Sequence, residues 1–409
     1  MALIVAKFGG TSVADIERIE RAAGKVAREV EAGHKVAVVV SAMSGVTNQL
    51  VDYCRQISPM HDAREYDTVV SSGEQVTAGL MAMALQKKGV AARSWLGWQI
   101  PILTDNVHGK ARIEDINTDN ILDRLNSGEV VVVPGFQGVT ELNRIATLGR
   151  GGSDTSAVAL AAALNAERCD IYTDVDGVYT ADPRIVPKAK KIHKIAYEEM
   201  LELASLGSKV LQTRSVEMGA KSGVPIQVLS SFGDEVGSAL KGTLVTTEDR
   251  IVEQELVSGI AHSKDEAKVT LVSVRDVPGV AARLFEPLAN AAVNVDMIVQ
   301  NISAEGRTDM TFTVPKNEVD LAVKTIKESV DLTYNDLVVD ENVTKVSVVG
   351  IGMKSHAGVA NTMFKTLADK SINIQVISTS EIKISVLIGT DYTELAVRSL
   401  HAAYGLDQE

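Results

Sequence analysis

A lysine and two glycines close the first apolar run of the chain. Leu3–Phe8 is apolar apart from Lys7, and Gly9 and Gly10 follow it directly. A buried ammonium group is costly, so we expect Lys7 to face a cleft, where the glycines let backbone N–H groups approach a ligand. An ammonium group beside bare amides suits a phosphate. The alternative is a surface lysine before a tight turn.

A second glycine-rich stretch carries an arginine. Gly149–Gly152 reads GRGG and opens onto an apolar helical pattern, with Ser153 or Asp154 as the predicted N-cap. Free N–H groups and the helix dipole favour an anion at such a place. An ordinary capped loop is the alternative, but the glycines around Arg150 favour anion binding.

Three acids follow another apolar run. Asp174, Asp176 and Asp182 lie in the sequence TDVDGVYTADPR. They suit nucleotide groups or metal-bound water, although Asp-Gly and Asp-Pro also form turns. The spacing does not fit an EF-hand, and the chain has no P-loop motif. We therefore expect no metal site built by the protein, and Mg²⁺ carried by a nucleotide.

Two further charges lie near predicted helix starts. Glu74 is in the first turn of Gly73–Lys88, where it either stabilises the helix or accepts hydrogen bonds from an amine of a substrate. Lys209 lies near the start of a helical stretch, Ser205–Lys221, where its charge opposes the helix dipole and suggests an anionic partner. The histidines show no metal-binding spacing.

The elements that position these residues alternate in the first half of the chain. Predicted strands are Leu3–Phe8, Lys35–Ser41, Val130–Gly135 and Cys169–Asp174. Predicted helices are Ala14–Ala32, Gly73–Lys88, Asn117–Asn126 and Thr155–Asn165. Val- and Ile-rich runs between helices are typical of a parallel sheet covered on both faces. Ligands bind outside the carboxyl ends of such strands, so we expect Lys7, Ser41, Gly135 and Asp174 to share a cleft.

The second half has another layout. The stretch SSFGDEVGSALKGT, Ser230–Thr243, indicates a linker, and an internal repeat comes after it. Gly279–Ile298 and Gly358–Ile377 are identical at 8 of 20 positions. Each copy predicts strand, loop, helix, strand, strand and helix, and Asn335–Asp340 closes the first copy. The second copy lacks a closing strand. We expect Glu255–Ala261 to supply it, with the first repeat inserted within the second.

Composition excludes several classes of protein. A chain of 409 residues with 45% hydrophobic and 23% charged residues is ordinary for a globular protein of about two or three domains. The net charge of -12 argues against a nucleic-acid or anionic-membrane surface. Two distant cysteines, no signal-peptide pattern and no long apolar stretch indicate a cytoplasmic protein outside the membrane.

The motifs together resemble the aspartokinases of the amino acid kinase superfamily. KFGGTSV, SAMSGVTN, SSGEQV, TLGRGGSDTSA, YTDVDGVYTADPR and SLGSKVL occur in the family order, and the repeats resemble its tandem ACT domains. The resemblance implies an α/β protein with a three-layer amino acid kinase fold, a mostly parallel central sheet and two ferredoxin-like (βαββαβ) ACT domains. The implied ranges are 1–232 for the catalytic domain, 233–254 for a linker, 263–341 for the first ACT domain, and 255–262 with 342–409 for the second.

The same resemblance implies an activity. ATP would phosphorylate the side-chain carboxylate of L-aspartate to give 4-phospho-L-aspartate, on the route to lysine, threonine and methionine. That carboxylate has a reference pKa of about 3.9, so at pH 7 it is already a nucleophile and needs no general base. Lysines, amides and Mg²⁺ borne by ATP would screen its repulsion from the γ-phosphate and stabilise the transition state.

Residue roles follow from the resemblance. The implied catalytic residues are Lys7, which contacts the phosphoryl group, Asp154, which orients it, and Lys209. Arg150 would bind the substrate α-carboxylate and Glu74 its α-amino group. The implied aspartate site comprises Ser41, Thr47, Glu74, Arg150, Gly152 and Ser153. The implied ATP site comprises Lys7, Gly9, Gly10, Thr173, Asp174, Tyr179, Asp182, Arg184 and Lys209, with Gly9 and Gly10 donating amides.

Regulation and assembly are implied as well. ACT pairs of this family bind amino-acid effectors, usually lysine, threonine or both. The implied effector residues are Gly279, Ala281, Val293, Asp296, Gln300, Asn373, Ile374, Ser380 and Glu381. Some relatives make a separate regulatory subunit from an internal start. Because no methionine lies between Met218 and Met297, we expect a homo-oligomer joined through the ACT domains.

Two other functions remain open from sequence. One is another amino acid kinase, acting on acetylglutamate, glutamate or uridylate, although Arg150 and Glu74 favour a free α-amino acid. The other is an amino-acid sensor with an inactive kinase domain, although the lysines and acids of the motifs are intact.

Overall fold

The computed structural model of the chain describes residues 2–207, 210–251, 256–302, 306–329, 332–356 and 358–408. They form two compact units. The first comprises Met1–Val178, Lys191–Ser205 and Lys209–Glu253, and the second comprises Tyr179–Lys190, Leu206–Ser208 and Gln254–Glu409. In these described ranges no helix is long and apolar enough to cross a membrane.

The first unit is an α/β structure with two sheets. Its strands are β1 (Leu3–Phe8), β2 (Lys35–Val40), β3 (Ala92–Ser94), β4 (Ile102–Thr104), β5 (Ile113–Ile116), β6 (Val130–Pro134), β7 (Gln137–Thr140), β8 (Ile145–Thr147), β9 (Arg168–Thr173), β10 (Lys194–Ala196), β11 (Ile226–Ser230) and β12 (Thr243–Thr246). The main sheet has the order β10-β12-β11-β9-β1-β2-β6-β3, and a smaller one has the order β5-β4-β7-β8. In the main sheet only the β11–β12 pair is antiparallel.

Helices pack around this sheet. They are α1 (Ile16–Glu31), α2 (Val46–Ile57), α3 (Ala63–Val70), α4 (Ser72–Lys87), α5 (Asp119–Asn126), α6 (Gly152–Ala163), α7 (Tyr197–Ser205) and α8 (Thr213–Ser222). The core beside β1 and β2 includes Phe8, Val38, Met81 and Leu85, all without exposed surface. Burying such side chains is the main favourable term that holds helix and sheet together.

The predicted strands and helices listed for the first half of the chain form within about three residues of their predicted bounds, and the largest difference is at the start of α6, Gly152 instead of Thr155. Two predictions need correction. The stretch Ser205–Lys221 is not one helix, because α7 ends at Ser205, Gly207 has φ 109°, and α8 begins at Thr213. The predicted linker contains β12, which pairs with β11 and β10, because its β-branched residues outweigh the neighbouring turn-forming glycines and serines.

The second unit holds the repeat. Its strands are β13 (Gly259–Arg275), β14 (Asp296–Ile302), β15 (Arg307–Val314), β16 (Asp336–Val349), β17 (Val376–Thr379) and β18 (Lys383–Gly389). Its helices are α9 (Val280–Asn290), α10 (Val319–Ser329), α11 (Val359–Asp369) and α12 (Thr393–Ala403). The sheet order is β14-β15-β13-β16-β18-β17, with every pair antiparallel.

The long strands β13 and β16 each serve both repeats. The start of β13, at Gly259–Ser263, pairs with the end of β16, at Lys345–Val349. The remainder of β13 pairs with the start of β16 and with β15. The second repeat is therefore completed by Gly259–Ser263, so the strand expected at Glu255–Ala261 begins later than predicted, and Glu255 itself lies outside the described residues. Each repeat has a ferredoxin-like strand order. The domain limits at residues 232, 262 and 341 remain predictions.

The segment Tyr179–Lys190 belongs to the second unit, although only a short stretch separates it from the end of β9 at Thr173. Ala181, Ile185 and Val186 lie in the same apolar core as Ile260 and Val346. The Thr180 hydroxyl lies 2.9 Å from His401 Nε2, and Arg398 Nε donates to the Ile185 carbonyl at 2.9 Å. A motif that sequence assigns to nucleotide binding thus begins in one unit and ends in the core of the other.

Candidate active site

The carboxyl ends of four neighbouring parallel strands, β9, β1, β2 and β6, lie along one edge of the main sheet. Lys7 is the penultimate residue of β1, and Ser41, Gly135 and Asp174 directly follow β2, β6 and β9. The structure therefore places these four residues at the same edge, as the strand pattern predicted. Ligands bind at this edge in parallel sheets.

Lys7 forms a buried ion pair. It is 7% exposed, and its Nζ lies 2.5 Å from Oδ1 of Asp154 in the first turn of α6. The same Nζ lies only 3.3 Å from where a Cβ at position 9 would stand, so Gly9 leaves room for the ammonium group. A buried ammonium group needs a partner, and Asp154 supplies one that directs Lys7 toward the glycine loop.

The two glycines after β1 differ in whether the backbone N–H is already hydrogen-bonded. The Gly9 N–H donates to the Tyr172 carbonyl at 3.2 Å, which corrects the expectation that it donates to a ligand, because the sheet already uses it. Gly10 begins a short 3-10 helix, and its N–H makes no hydrogen bond with the described residues. The first N–H groups of a helix lack internal partners, so Gly10 offers the amide that suits an anion.

Glu74 is a buried carboxylate with one oxygen unpaired. It is 3% exposed, in the first turn of α4, and its Oε1 accepts from the Ala42 N–H at 3.1 Å. Its Oε2 has no hydrogen-bond partner in the part of the chain that the structure describes. Burial raises the pKa of Glu74 to about 7, against a smaller lowering by the Ala42 N–H. Such an oxygen calls for a cationic or hydrogen-donating ligand.

Ala42 connects Glu74 to the glycine loop. Its carbonyl oxygen lies 3.1 Å from where a Cβ of Gly10 would stand, and its Cβ lies 2.8 Å from where a Cβ of Gly73 would stand. The α4 helix can therefore approach the loop after β2 closely only because position 73 is glycine. Ser41 and Thr47, both half-buried, lie on either side of this contact in sequence.

The glycine-rich loop presents Arg150 to solvent. Gly149 and Gly151 on either side have φ 77° and 69°, a left-handed conformation that glycine adopts readily. Arg150 is exposed and makes no ion pair or hydrogen bond with any residue that the structure describes. The N-cap of α6 is Gly151, not Ser153 or Asp154, which both lie in the first turn, where Asp154 pairs with Lys7.

Two more contacts fix this loop against the sheet edge. A Cβ at position 135 would lie 2.8 Å from the Ser153 side chain, and one at position 152 would lie 2.9 Å from Phe136. Phe136 itself has φ 69°, an uncommon value for a residue with a side chain. Gly152 and Ser153 therefore lie directly at the end of β6, and local strain is concentrated there.

The other end of the edge carries the predicted nucleotide residues of the first unit. Thr173 Oγ1 donates to Asp174 Oδ1 at 3.1 Å, and Asp174 is exposed. The Thr173 carbonyl accepts from the N–H and the hydroxyl of Ser231, each at 2.8 Å, and the Ser231 hydroxyl also contacts that of Ser12. Asp176, also considered from sequence, pairs with Lys191 at 3.2 Å.

Four predicted ATP residues are not part of this described edge. Tyr179, Asp182 and Arg184 belong to the second unit. Arg184 Nη2 lies 2.7 Å from Asp182 Oδ2, and this hydrogen bond lowers the pKa of Asp182. Lys209 lies outside the described residues. The assignment of these four residues to ATP stays a prediction.

The predicted effector residues lie in both repeats. Gly279 is the N-cap of α9, with φ 88°, and Asp296 begins β14. Asn373 and Ile374 precede β17, and Ser380 follows it. Although β14 and β17 are opposite edges of the sheet, they approach each other, and Met297 and Val376 share one apolar cluster. Asp296 directly precedes Met297 in sequence, whereas Val293 packs in the core of the first repeat and Ile374 against the core of the second. The other predicted effector residues are Ala281, Val293, Gln300 and Glu381.

Sequence reasoning missed the residues that hold the site in place. Ala42, Phe136 and Asp67 touch the predicted site residues or their loops, and none stands out by type or spacing. The one usable signal is glycine: Gly73, Gly135 and Gly152 each mark a close approach that a side chain would block.

A mostly parallel sheet with a lysine, glycine loops and a buried acid at its carboxyl edge, followed by two ferredoxin-like repeats, defines an amino acid kinase with ACT domains. Residues 2–230 match the amino acid kinase family, and residues 269–330 and 346–404 match the ACT domain. The aspartate kinase of Pseudomonas putida is 55% identical over 409 residues, which cover 100% of this chain and 98% of that protein. The chain belongs to the aspartokinases of the amino acid kinase family.

Solved structures agree with this assignment. E. coli aspartokinase III in complex with aspartate and ADP, in the R-state, has a TM-score of 0.81 and 28% identity, covering 98% of this chain and 99% of that one. The same enzyme in complex with lysine and aspartate, in the T-state, has a TM-score of 0.78 at the same identity and coverage.

Proposed function

We propose that the protein transfers the γ-phosphoryl group of ATP to the side-chain carboxylate of L-aspartate, giving ADP and 4-phospho-L-aspartate. Membership of the aspartokinases supports the reaction, and E. coli aspartokinase III has been solved with aspartate and ADP. The observation that carries the substrate is the unpaired, buried Oε2 of Glu74. Glu74 lies on α4, which packs against Ala42, and Ala42 also lies against Gly10 in the loop that follows Lys7.

The chemistry needs no proton transfer. The substrate carboxylate is ionised at pH 7 and attacks the γ-phosphorus, the bond to the β-phosphate oxygen breaks, and ADP leaves with its electron pair. Lys7 and the Gly10 amide neutralise charge on the transferring group, and Asp154 holds Lys7 in position. Mg²⁺ enters with ATP as part of the substrate, and Thr173 and Asp174 lie on the nucleotide side.

The amino-acid subsite recognises a free α-amino acid. Glu74 accepts hydrogen bonds from the α-ammonium group, and the planar fork of Arg150 binds the α-carboxylate. Ser41, Thr47, Gly152 and Ser153 line the space between them and Lys7. An N-acylated amino acid has no ammonium group, so it would leave the Glu74 oxygen buried and unpaired.

The ACT repeats give the enzyme an amino-acid-binding regulatory unit. Lysine occupies the T-state structure of E. coli aspartokinase III. Lysine, threonine or both are therefore the proposed effectors, and they bind at the predicted effector residues of the two repeats. An effector changes the rate only if it binds the active and inactive states with different affinities. A homo-oligomer and a cytoplasmic location remain part of this proposal.

A coupled ADP-release assay tests the function. The full-length protein is supplied with Mg-ATP and, in turn, aspartate, glutamate, N-acetylglutamate and uridylate, each with and without lysine and threonine. ADP release with aspartate alone supports the proposal, and release only with another acceptor identifies a different amino acid kinase. No release with any acceptor, together with binding of lysine or threonine, would indicate an inactive sensor.

A further inference from the structure

Asp67 is a fully buried carboxylate that the reaction does not use. It lies in α3 with no exposed surface, and both of its oxygens are occupied. Oδ1 accepts from the Thr147 hydroxyl at 2.5 Å, and Oδ2 lies 2.8 Å from His108 Nδ1 and accepts from the Gly109 N–H at 3.1 Å. One side chain therefore joins three segments: α3 itself and two others that are 41 and 80 residues away in sequence.

The first of these segments leads directly to Glu74. The α3 helix ends at Val70, and α4, which carries Glu74, begins at Ser72, so a single residue separates the two helices. Ser71 donates its N–H to the Asp67 carbonyl at 3.1 Å, and its own carbonyl accepts from Gln137 Nε2 at 2.9 Å. The position of Asp67 thus fixes the start of α4.

The second segment leads directly to Arg150. Thr147 is the last residue of β8, three positions before Arg150. Its carbonyl accepts from the Ala111 N–H at 2.9 Å, and Arg214 donates to the carbonyls of Leu148 and Ala111 at 2.9 and 2.8 Å. These hydrogen bonds hold the start of the loop that carries Arg150. The hydrogen bond between Thr147 and Asp67 therefore fixes the distance of this loop from α3.

The third segment, His108–Gly109, packs against the loop that carries Arg150. Gly109, whose N–H donates to Asp67, has its carbonyl oxygen 3.1 Å from where a Cβ of Gly149 would stand. The loop that carries His108 therefore packs directly under the glycine before Arg150. His108 is itself largely buried, with 11% of its side chain exposed.

We propose that Asp67, with Thr147 and His108, is the positioning residue of the amino-acid subsite, because it links the helix of Glu74 to the loop of Arg150. The inference rests on the proposed function, in which these two residues bind the two ends of the aspartate backbone. A substrate held at two points is bound well only if the spacing of those points is fixed to a fraction of an ångström. Asp67 does not touch the substrate.

A positioning role for Asp67 predicts that its substitution weakens aspartate binding and leaves ATP binding nearly unchanged. Asp67→Asn keeps the shape of the side chain but removes its charge and places an amide where His108 and Gly109 offer donors. We expect KM for aspartate to rise roughly 10-fold, with KM for ATP changed less than about twofold, because the ATP side contains none of the three segments. Steady-state kinetics with each substrate varied in turn, and calorimetric titration with aspartate, measure the two effects.

Thr147 gives a matched pair of variants if Asp67→Asn does not fold. Thr147→Val removes only the hydroxyl, whereas Thr147→Ser keeps it. The first is expected to raise KM for aspartate and the second to leave it near the wild-type value. A third variant, Asp170→Asn, changes another buried carboxylate, which pairs with Arg168 at 3.0 Å. It should lower the melting temperature without a selective rise in KM for aspartate.

The outcomes separate the two proposals. If the wild-type protein phosphorylates aspartate and Thr147→Val or Asp67→Asn keeps its KM for aspartate, the positioning role is overturned and the function stands. An equal rise in both KM values, or the same change in Thr147→Ser as in Thr147→Val, also overturns it. A wild-type protein that neither binds nor phosphorylates aspartate overturns both.

Discussion

Each unit of the protein buries a lysine against carboxylates, and the two lysines differ in how completely they are paired. Lys345, in β16, is 5% exposed and lies 2.6 Å from Glu266 and 2.8 Å from Asp296. Burial alone lowers its pKa, but the two carboxylates more than offset this, and the pKa is raised. Lys7 has the single partner Asp154 among the described residues.

The difference indicates where function resides. Two carboxylates more than neutralise Lys345, and the group holds three strands together. Lys7 with one carboxylate, beside the Gly10 amide and the unpaired oxygen of Glu74, forms an incomplete set of charges that a bound anion and cation would complete. Incomplete pairing in a buried site is costly unless a ligand completes it, which is typical of active sites.

The largest loss of activity should follow removal of the Lys7 charge from its pair with Asp154. Lys7→Met keeps the apolar stem and removes the charge, so kcat should fall by roughly 100- to 1,000-fold, which is about 3–4 kcal/mol of transition-state stabilisation. Single-turnover and steady-state kinetics with Mg-ATP and aspartate measure it. Lys25→Met is the matched control, because Lys25 is also buried and donates to the Gly233 and Glu235 carbonyls. It should retain kcat within a few-fold, and a near-normal kcat in Lys7→Met would contradict the assignment.

The next effect breaks the complete cluster. Lys345→Met leaves Glu266 and Asp296 facing each other, so the free energy of unfolding should fall by about 3 kcal/mol, less than for a fully dry pair because Asp296 is half exposed. Urea denaturation of the full-length protein measures the loss. At low temperature kcat without effector should stay close to wild type, and a variant as stable as wild type would show that the cluster is not structural.

The sequence alone predicts much of the active-site edge around Lys7. The Val-rich runs, the helices between them and the rule that ligands bind at the carboxyl ends of parallel strands are enough to predict that Lys7, Ser41, Gly135 and Asp174 share one edge. Local periodicity and a topological rule suffice there, because each element is long and its neighbours in the sheet are the expected ones.

The remainder depends on contacts that no local pattern carries. Glu74 in a first helical turn is explained by helix electrostatics alone, and only the packing of α4 against Ala42 shows that it is buried and half unpaired. Asp67 bonds to residues far away in sequence, so its type and position give no warning. The segment Tyr179–Lys190 reads as part of a nucleotide motif, yet its apolar residues complete the core of the second unit.

A third prediction concerns the unpaired acid. With a pKa of about 7, Glu74 loses its charge as the pH falls, so KM for aspartate should rise about 10-fold between pH 8 and pH 6. A raised pKa also means that the ligand-free folded state loses stability as the pH rises from about 4.5 through 7, by up to about 3 kcal/mol. Glu74→Gln should remove both pH dependences while raising KM at pH 8. A KM that is flat with pH in the wild type argues against Glu74 as the amine ligand.

The smallest effect is expected at Lys268, the residue of the first repeat that corresponds to Lys345 in the second. The repeat makes Lys268 the counterpart of Lys345 and Gln375 the counterpart of Asp296. The Lys268 ammonium accordingly contacts the neutral Gln375 amide, and its nearest carboxylate, Asp340, lies 3.8 Å away. A partly exposed lysine with a neutral partner and one distant carboxylate contributes little, so Lys268→Met should cost less than about 1 kcal/mol in urea denaturation. Because the fold positions are equivalent, a loss as large as that of Lys345→Met would mean that the position of the lysine, and not the charge of its partners, sets the stability of the sheet.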